Sequence, residues 1–127
     1  MFSGFKINNS ENRAVLHWAL RSDGKKTQLS DKVLYDDIKE ELLRLEVFAE
    51  SIRGGEIKSV QNQKFTEIVN IGIGGSSLGP MMGTLALAPY HDGPRCHFIS
   101  NVDSADLTDK LKFVNPEKTL VIIASKT

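Results

Sequence analysis

A glycine- and serine-rich run from Gly72 to Pro80 follows directly on an apolar stretch that ends at Ile71. Glycines let backbone N–H groups approach a ligand without interference from a Cβ atom, and the free N–H groups at the start of a helix carry about half a positive charge. The pattern predicts a β-strand, a tight turn and a helix opened by Pro80. We interpret this arrangement as a site for an anion, with phosphate as the expected ligand.

The second half of the chain alternates short apolar runs with helix-like segments. Continuous apolar strands separated by helices are typical of a parallel sheet that is covered on both faces. The pattern therefore predicts an α/β fold in the order strand, helix, strand, helix, strand. These five elements are expected at residues 68–73, 81–88, 97–102, 107–114 and 120–124.

Two of the predicted strands are followed by small polar residues. Residues 74–77 follow the first strand, and residues 125–127 follow the third. Ligands of parallel α/β sheets bind beyond the carboxyl ends of the strands. We therefore expect both turns to lie at the same edge of the sheet and to form one site.

Two helices are expected before the sheet, because apolar residues recur every three or four positions. The first is predicted from a cap at Asn9 or Ser10 to about Gly24, and the second from Ser30 to Gly54. The apolar positions are Val15, Trp18 and Ala19 in the first helix and Leu34, Ile38, Leu42, Leu45, Ala49 and Ile52 in the second.

The composition is that of an ordinary globular segment, with 40% apolar and 25% charged residues over 127 positions. Lys+Arg and Asp+Glu number 16 each, so neither a nucleic acid nor a membrane is an expected partner. The single cysteine, Cys96, fits a reducing compartment, and we expect a cytoplasmic protein. We divide the chain into a helical segment, 1–54, and an incomplete α/β domain, 55–127.

Other phosphate-binding motifs fit the glycine run less well. A Walker loop requires lysine and then serine or threonine where Pro80 and Met81 stand, which disfavours nucleotide hydrolysis. A dinucleotide fingerprint stays open, with Ser77 in place of its third small residue and Asp103 available for a ribose hydroxyl. A purely structural reading also stays open, in which the glycines make a turn and Ser76 or Ser77 caps the helix.

Metal binding and nucleophilic serine chemistry are not indicated. His17, His91 and His97 show no metal-ligand spacing with Cys96. Ser76 lacks the glycine two places further on that a nucleophile elbow needs. We therefore predict no metal site and no serine nucleophile.

Four segments together resemble the glucose-6-phosphate isomerase family, in the same order and at fitting separations. They are residues 11–17 (ENRAVLH), 70–80 (NIGIGGSSLGP), 100–103 (SNVD) and 123–127 (IASKT). The resemblance implies the sugar-isomerase fold, a three-layer αβα sandwich around a mainly parallel sheet. It also implies interconversion of glucose 6-phosphate and fructose 6-phosphate without a metal or organic cofactor, by a homodimer whose active site uses residues of both subunits.

The same resemblance implies five substrate-binding residues. Gly75 and Ser76 belong to the glycine-serine loop, and Ser125, Lys126 and Thr127 belong to the loop that binds mainly the phosphate. Short hydroxyls and backbone amides can surround a dianion, and charge-assisted hydrogen bonds are worth about 1.5–3 kcal/mol each. Lys126 is expected to act through its ammonium or its backbone amide.

The chain departs from the family pattern at Ser77, where many members have aspartate. Aldose–ketose isomerisation also needs a carboxylate base, a cation for the enediolate and ring-opening groups. No motif of this chain matches them, so no catalytic residue is assigned and the chain alone is expected to be inactive. The alternatives are a regulatory module that binds a phosphosugar without chemistry and the dinucleotide-binding half of an oxidoreductase. A sheet that ends at its third strand is expected to expose apolar surface and to self-associate.

Overall fold

The computed structural model describes residues 2–22 and 32–125. The chain forms two compact units, Met1–Phe48 and Ala49–Thr127. The division at residue 54 that the sequence suggests stays a prediction.

The chain from Asn8 to Arg13 forms a turn, where the sequence predicts the first helix. These two residues make an antiparallel bridge with backbone hydrogen bonds of 3.1 and 3.2 Å. Asn8 Oδ1 accepts hydrogen bonds from the Ser10 hydroxyl at 2.8 Å and the Glu11 amide at 3.2 Å, while Asn12 has a φ of 51°. Asparagine side chains that bond to nearby backbone compete with helix formation. The helix predicted from Ser10 is therefore wrong over this stretch.

Helical backbone in this part of the chain is a 3₁₀ helix, His17–Arg21. It buries Ala19, and the Trp18 ring packs edge-on against Phe2 with the ring centroids 5.3 Å apart. The Trp18 Nε1 donates to the Val15 carbonyl at 3.1 Å. Trp18 and Ala19, which were predicted on the apolar face of a longer helix, thus pack from this short 3₁₀ helix.

The long second helix is confirmed as α1, Lys32–Gly54; its predicted start at Ser30 lies outside the described residues. Gly55 has a φ of 84° and ends the helix in a left-handed conformation. Its N–H and that of Glu56 donate to the Ser51 carbonyl at 3.1 and 2.9 Å. This arrangement satisfies helix-end carbonyls as in a Schellman motif.

The apolar stripe of α1 is covered only in part. Ile52 is buried, whereas Leu42 and Ala49 are exposed and Leu45 retains 65% of its accessible surface. Helical periodicity identifies which side chains share a face, but it does not show which of them this chain covers.

The predicted α/β class is confirmed by a three-stranded parallel sheet in the order β2-β1-β3. The central strand is therefore the first in sequence, and β3 is an edge strand. The elements are β1 (Glu67–Ile71), α2 (Gly75–Ala86), β2 (Arg95–Ile99), α3 (Ser104–Leu111) and β3 (Thr119–Ile123).

The two helices α2 and α3 lie on opposite faces of this sheet. Asn70 and Cys96 point to the face of α2, where Thr84 hydrogen-bonds to the Cys96 thiol. Val69 lies on the other face and lines a pocket with Leu111 of α3. The connection from β1 to β2 and the connection from β2 to β3 run in opposite directions across the sheet. Because both crossovers have the same handedness, their helices lie on opposite faces. The result is the core of a three-layer αβα sandwich.

Candidate functional site

An open cavity of about 600 Å³ lies at the carboxyl ends of all three strands. It is lined by the last residue of each strand and by the loop that follows. The start of α2 contributes Gly75 and Ser76, the loop after β2 contributes Ser100 and Asn101, and the segment after β3 contributes Ser125. The polar residues at this edge therefore surround a single space.

The structure brings together three of the five predicted site residues. Gly75 and Ser76 at the start of α2 and Ser125 after β3 all line the cavity, although they lie about 50 positions apart in the chain. Lys126 and Thr127 lie outside the described residues. That these residues bind substrate stays a prediction.

The helix after the first strand begins earlier than the sequence suggests. α2 starts at Gly75, whereas the prediction placed its start at Met81 and Pro80 at its opening; Pro80 instead lies inside the helix. The N-cap is Gly74, with φ 61° and ψ −127°, and it uses no side-chain hydrogen bond. Glycine adopts this backbone conformation readily, so the turn is completed at once and the helix follows.

The same geometry corrects the structural alternative in which a serine caps the helix. Ser76 lies in the first turn of α2 and not at its N-cap. Ser77 is 1% exposed, and its hydroxyl has no hydrogen-bond partner within the described part of the chain. The serines are therefore not explained by helix capping.

The amino end of α2 faces the cavity. The amides of Ser77 and Leu78 both donate to the Gly74 carbonyl, at 3.0 and 2.8 Å, and the Ser76 amide makes a longer bond of 3.4 Å to Ile73. Within the described residues, the Gly75 amide is therefore the donor left free at the start of the helix, and the Ser76 amide is held only by its longer bond. Amides at a helix start, together with the helix dipole, attract an anion.

Gly72 is the place where the first and third loops meet. A Cβ atom on Gly72 would lie 2.8 Å from the Ser76 Cβ and 3.1 Å from the Ala124 carbonyl oxygen. The strand ends are joined here by backbone bonds from Gly72 to Ile99 at 3.0 Å and from Ala124 to Ile71 at 2.9 Å. The absence of a side chain at Gly72 thus determines how closely the two loops approach.

Sequence reasoning missed the second loop as part of the lining. Ser100 and Asn101 both line the cavity, and Asn101 Oδ1 accepts a hydrogen bond from the Asp103 amide at 3.1 Å. The signal that could have found them is the pair of small polar residues directly after the second strand. The Asp103 carboxylate accepts from the Ala105 amide at 2.9 Å and caps α3. Helix capping therefore explains the role of the Asp103 carboxylate, and a bond to a ribose hydroxyl is not needed to explain it.

The other candidate groups contribute no site. His97 Nε2 lies 2.6 Å from Oε2 of Glu67, on strands β2 and β1. The described residues contain no group of three or more His, Cys, Asp or Glu side chains placed to hold a metal ion. Burial raises the pKa of the Cys96 thiol, and the hydrogen bond from Thr84 opposes this shift. Within residues 2–22 and 32–125, no helix combines the length and apolarity that crossing a bilayer requires.

The fold and the cavity define a class of protein: a parallel α/β domain with its ligand cavity at the carboxyl ends of the strands and a glycine-rich turn at a helix start. Residues 1–127 match the family model described as phosphoglucose isomerase. The chain belongs to this family, and the resemblance seen in its four sequence segments is confirmed.

Curated relatives are named glucose-6-phosphate isomerase. A "Glucose-6-phosphate isomerase" of Brucella anthropi is 58% identical over 128 residues, which cover 100% of this chain and 23% of the relative. Another, of a Chelativorans species, is 56% identical, with 100% of this chain and 24% of the relative covered. The chain thus spans about a quarter of the length of the curated relatives it matches.

A solved structure has the same fold. The crystal structure of a glucose-6-phosphate isomerase from Chlamydia trachomatis superposes with a TM-score of 0.72 at 33% identity. The match covers 98% of this chain and 23% of that chain.

Proposed function

We propose that this chain forms part of a glucose-6-phosphate isomerase, which interconverts glucose 6-phosphate and fructose 6-phosphate. Within that enzyme, the cavity at the strand ends binds the phosphoryl end of the sugar. Family membership supports the activity. The observation that carries the binding role is that Ser76 and Ser125, from separate loops, line one cavity beside the start of α2.

The chemistry of this lining suits a phosphate dianion. Gly75 and Ser76 offer amides at the positive end of a helix, and the hydroxyls of Ser76 and Ser125 add short donors. Lys126 and Thr127 complete the proposed set through their place in the sequence directly after Ser125. Each charge-assisted bond to the phosphate is expected to contribute about 1.5–3 kcal/mol.

The chemical step needs groups from outside this chain. The described residues that line the cavity are glycine, alanine, serine, asparagine and aliphatic residues, without a carboxylate, an imidazole or a cation. Proton transfer between adjacent sugar carbons requires a positioned base. No residue of this chain is assigned that role, and the 127-residue chain by itself is expected to be inactive.

The wider properties of the enzyme follow from the same proposal. It acts in glycolysis and gluconeogenesis in the cytoplasm, as a homodimer, without cofactor, nucleic acid or membrane partner. The single cysteine supports the cytoplasmic location, and the balance of 16 basic and 16 acidic residues supports the absence of a nucleic-acid or membrane partner.

A replacement chimera tests the proposal. In it, this chain takes the place of the matched 128-residue segment of the Brucella anthropi relative, and isomerase activity is followed by dehydrogenase-linked NADPH production. Ser76→Ala and Ser125→Ala are each expected to raise KM for fructose 6-phosphate about ten- to a hundredfold, because each removes one bond to the phosphate.

The matched control is Ser104→Ala, a serine in the first turn of α3 that does not line the cavity. It is expected to leave KM unchanged. An inactive chimera, or equal KM values for all three variants and the parent, would refute the proposed function.

A further inference from the structure

Pro80 leaves a gap in the hydrogen bonding of α2. The N–H of each helical residue donates to the carbonyl four positions earlier, and proline has no N–H. Pro80 lies inside α2, four positions after Ser76. The helix therefore provides no donor from position 80 to the Ser76 carbonyl, and this carbonyl belongs to a residue that lines the cavity.

Asn70 provides the missing donor from the sheet. Its Nδ2 donates to the Ser76 carbonyl oxygen at 3.0 Å. Asn70 is 8% exposed and lies on the central strand β1, on the face that α2 covers. A buried polar side chain destabilises a fold unless it is hydrogen-bonded. The bond satisfies both the buried amide and the carbonyl that Pro80 leaves without its helical donor.

Ser76 is consequently held from two sides. Asn70 binds its carbonyl oxygen, and Gly72 leaves room for its Cβ, which would lie 2.8 Å from a Cβ at position 72. The Asn70 hydrogen bond and the free space at Gly72 both lie at the carboxyl end of β1. Together they orient the first turn of α2 relative to the strand ends. Ser76 is thereby held at the edge of the cavity that it lines.

We propose that Asn70 is a positioning residue of the phosphosugar site, which orients Ser76 by replacing the main-chain donor that Pro80 lacks. This inference rests on the proposed function, because it assigns Asn70 a role in substrate binding through Ser76. It predicts an energetic coupling between Asn70 and Pro80, although nothing in the sequence pattern links the two.

A double-mutant cycle in the replacement chimera tests this coupling. Asn70→Ala is expected to raise KM for fructose 6-phosphate about two- to tenfold with kcat changed by less than twofold, since one neutral hydrogen bond is lost. Pro80→Ala restores a main-chain N–H to the Ser76 carbonyl and is expected to change KM by less than about twofold. In the Pro80→Ala background, Asn70→Ala is expected to have almost no effect on KM.

The matched control is Asn115→Ala. Asn115 also makes a local bond, from the Glu117 amide to its Oδ1 at 3.0 Å, but it caps a 3₁₀ helix that does not line the cavity. Its removal is expected to leave KM unchanged in both backgrounds. A merely structural role of Asn70 would lower stability equally in both backgrounds and would not be rescued by Pro80→Ala.

Each possible result either supports or overturns the positioning role of Asn70. An unchanged KM in Asn70→Ala, or an equal rise with and without Pro80→Ala, overturns the positioning role. If Asn70→Ala does not fold, the double variant with Pro80→Ala is measured: folding and binding like Pro80→Ala supports the role, and failure to fold overturns it. Ser76→Ala separates the two proposals, because an unchanged KM in that variant refutes the proposed function itself.

Discussion

Replacing Gly72 by alanine is expected to separate the two loops that line the cavity. The added Cβ would lie 2.8 Å from the Ser76 Cβ, 3.0 Å from the Ser76 carbonyl oxygen and 3.1 Å from the Ala124 carbonyl oxygen. Two of these three neighbours are backbone atoms, which cannot rotate away. Gly72 does not have a positive φ, so the effect comes from these contacts and not from backbone strain.

The size of the effect follows from these distances. Ordinary carbon–carbon contacts lie at about 3.5–4.0 Å, so Ser76 has to move by about 1 Å from its present 2.8 Å separation. Overpacking of this kind lowers the free energy of unfolding by about 1–3 kcal/mol. A displacement of about 1 Å in a binding group can lower activity about a hundredfold. We expect kcat/KM for fructose 6-phosphate to fall by about ten- to a hundredfold.

Gly79→Ala is the matched control for this experiment. Apart from its chain neighbours and the backbone of its own helix, a Cβ on Gly79 meets no atom of the described residues within 4 Å, and Gly79 lies in the same helix as Ser76. Alanine is more favourable than glycine inside a helix by about 0.5–1 kcal/mol, so this variant is expected to be at least as stable as the parent. Urea unfolding and steady-state kinetics of both variants are measured in the replacement chimera. If Gly72→Ala and Gly79→Ala have the same urea midpoint and the same kcat/KM, the close approach of the two loops at Gly72 does not have the proposed effect.

Three further predictions concern the fold. Asp103→Ala removes the cap of α3 and is expected to lower the free energy of unfolding by about 0.5–2 kcal/mol; an unchanged urea midpoint contradicts this. Burial raises the pKa of Cys96, so at pH 8 fewer thiols are ionised and iodoacetamide should react more slowly than with the urea-unfolded chain; equal rates refute it. The isolated chain should self-associate in sizing chromatography, because edge strand β3 exposes 74% of Ile123; a sharp monomeric peak with a cooperative melt contradicts this.

Local patterns predicted the kind and order of the elements in the α/β segment. Each strand contains a cluster of apolar or β-branched residues, so its existence could be recognised from neighbouring positions alone. The predicted ends of the strands were less accurate. β1 ends at Ile71 and β2 at Ile99, before the last residues of the predicted runs. A strand ends where its partner ends, and pairing partners are far away in the sequence.

Two local predictions failed because glycine and asparagine act through backbone geometry. Asn8 and Asn12 belong to a turn, whereas the spacing of apolar residues predicted that a helix begins there. Gly74 is the N-cap of α2 and has a positive φ, although Pro80 has the properties of a first helical residue. Both residue types allow several conformations, and the tertiary structure selects one.

The amino-acid sequence by itself determined the α/β class, the glycine-rich turn after the first strand and the family to which the chain belongs, because these depend on short patterns of residue type. Only the tertiary structure decided that Ser76 and Ser125 line one cavity, that the missing side chain at Gly72 lets their segments approach and that Asn70 replaces the donor missing at Pro80. The physical reason is that these contacts join residues from different elements. Their distances depend on how the strands pair and how α2 packs on the sheet.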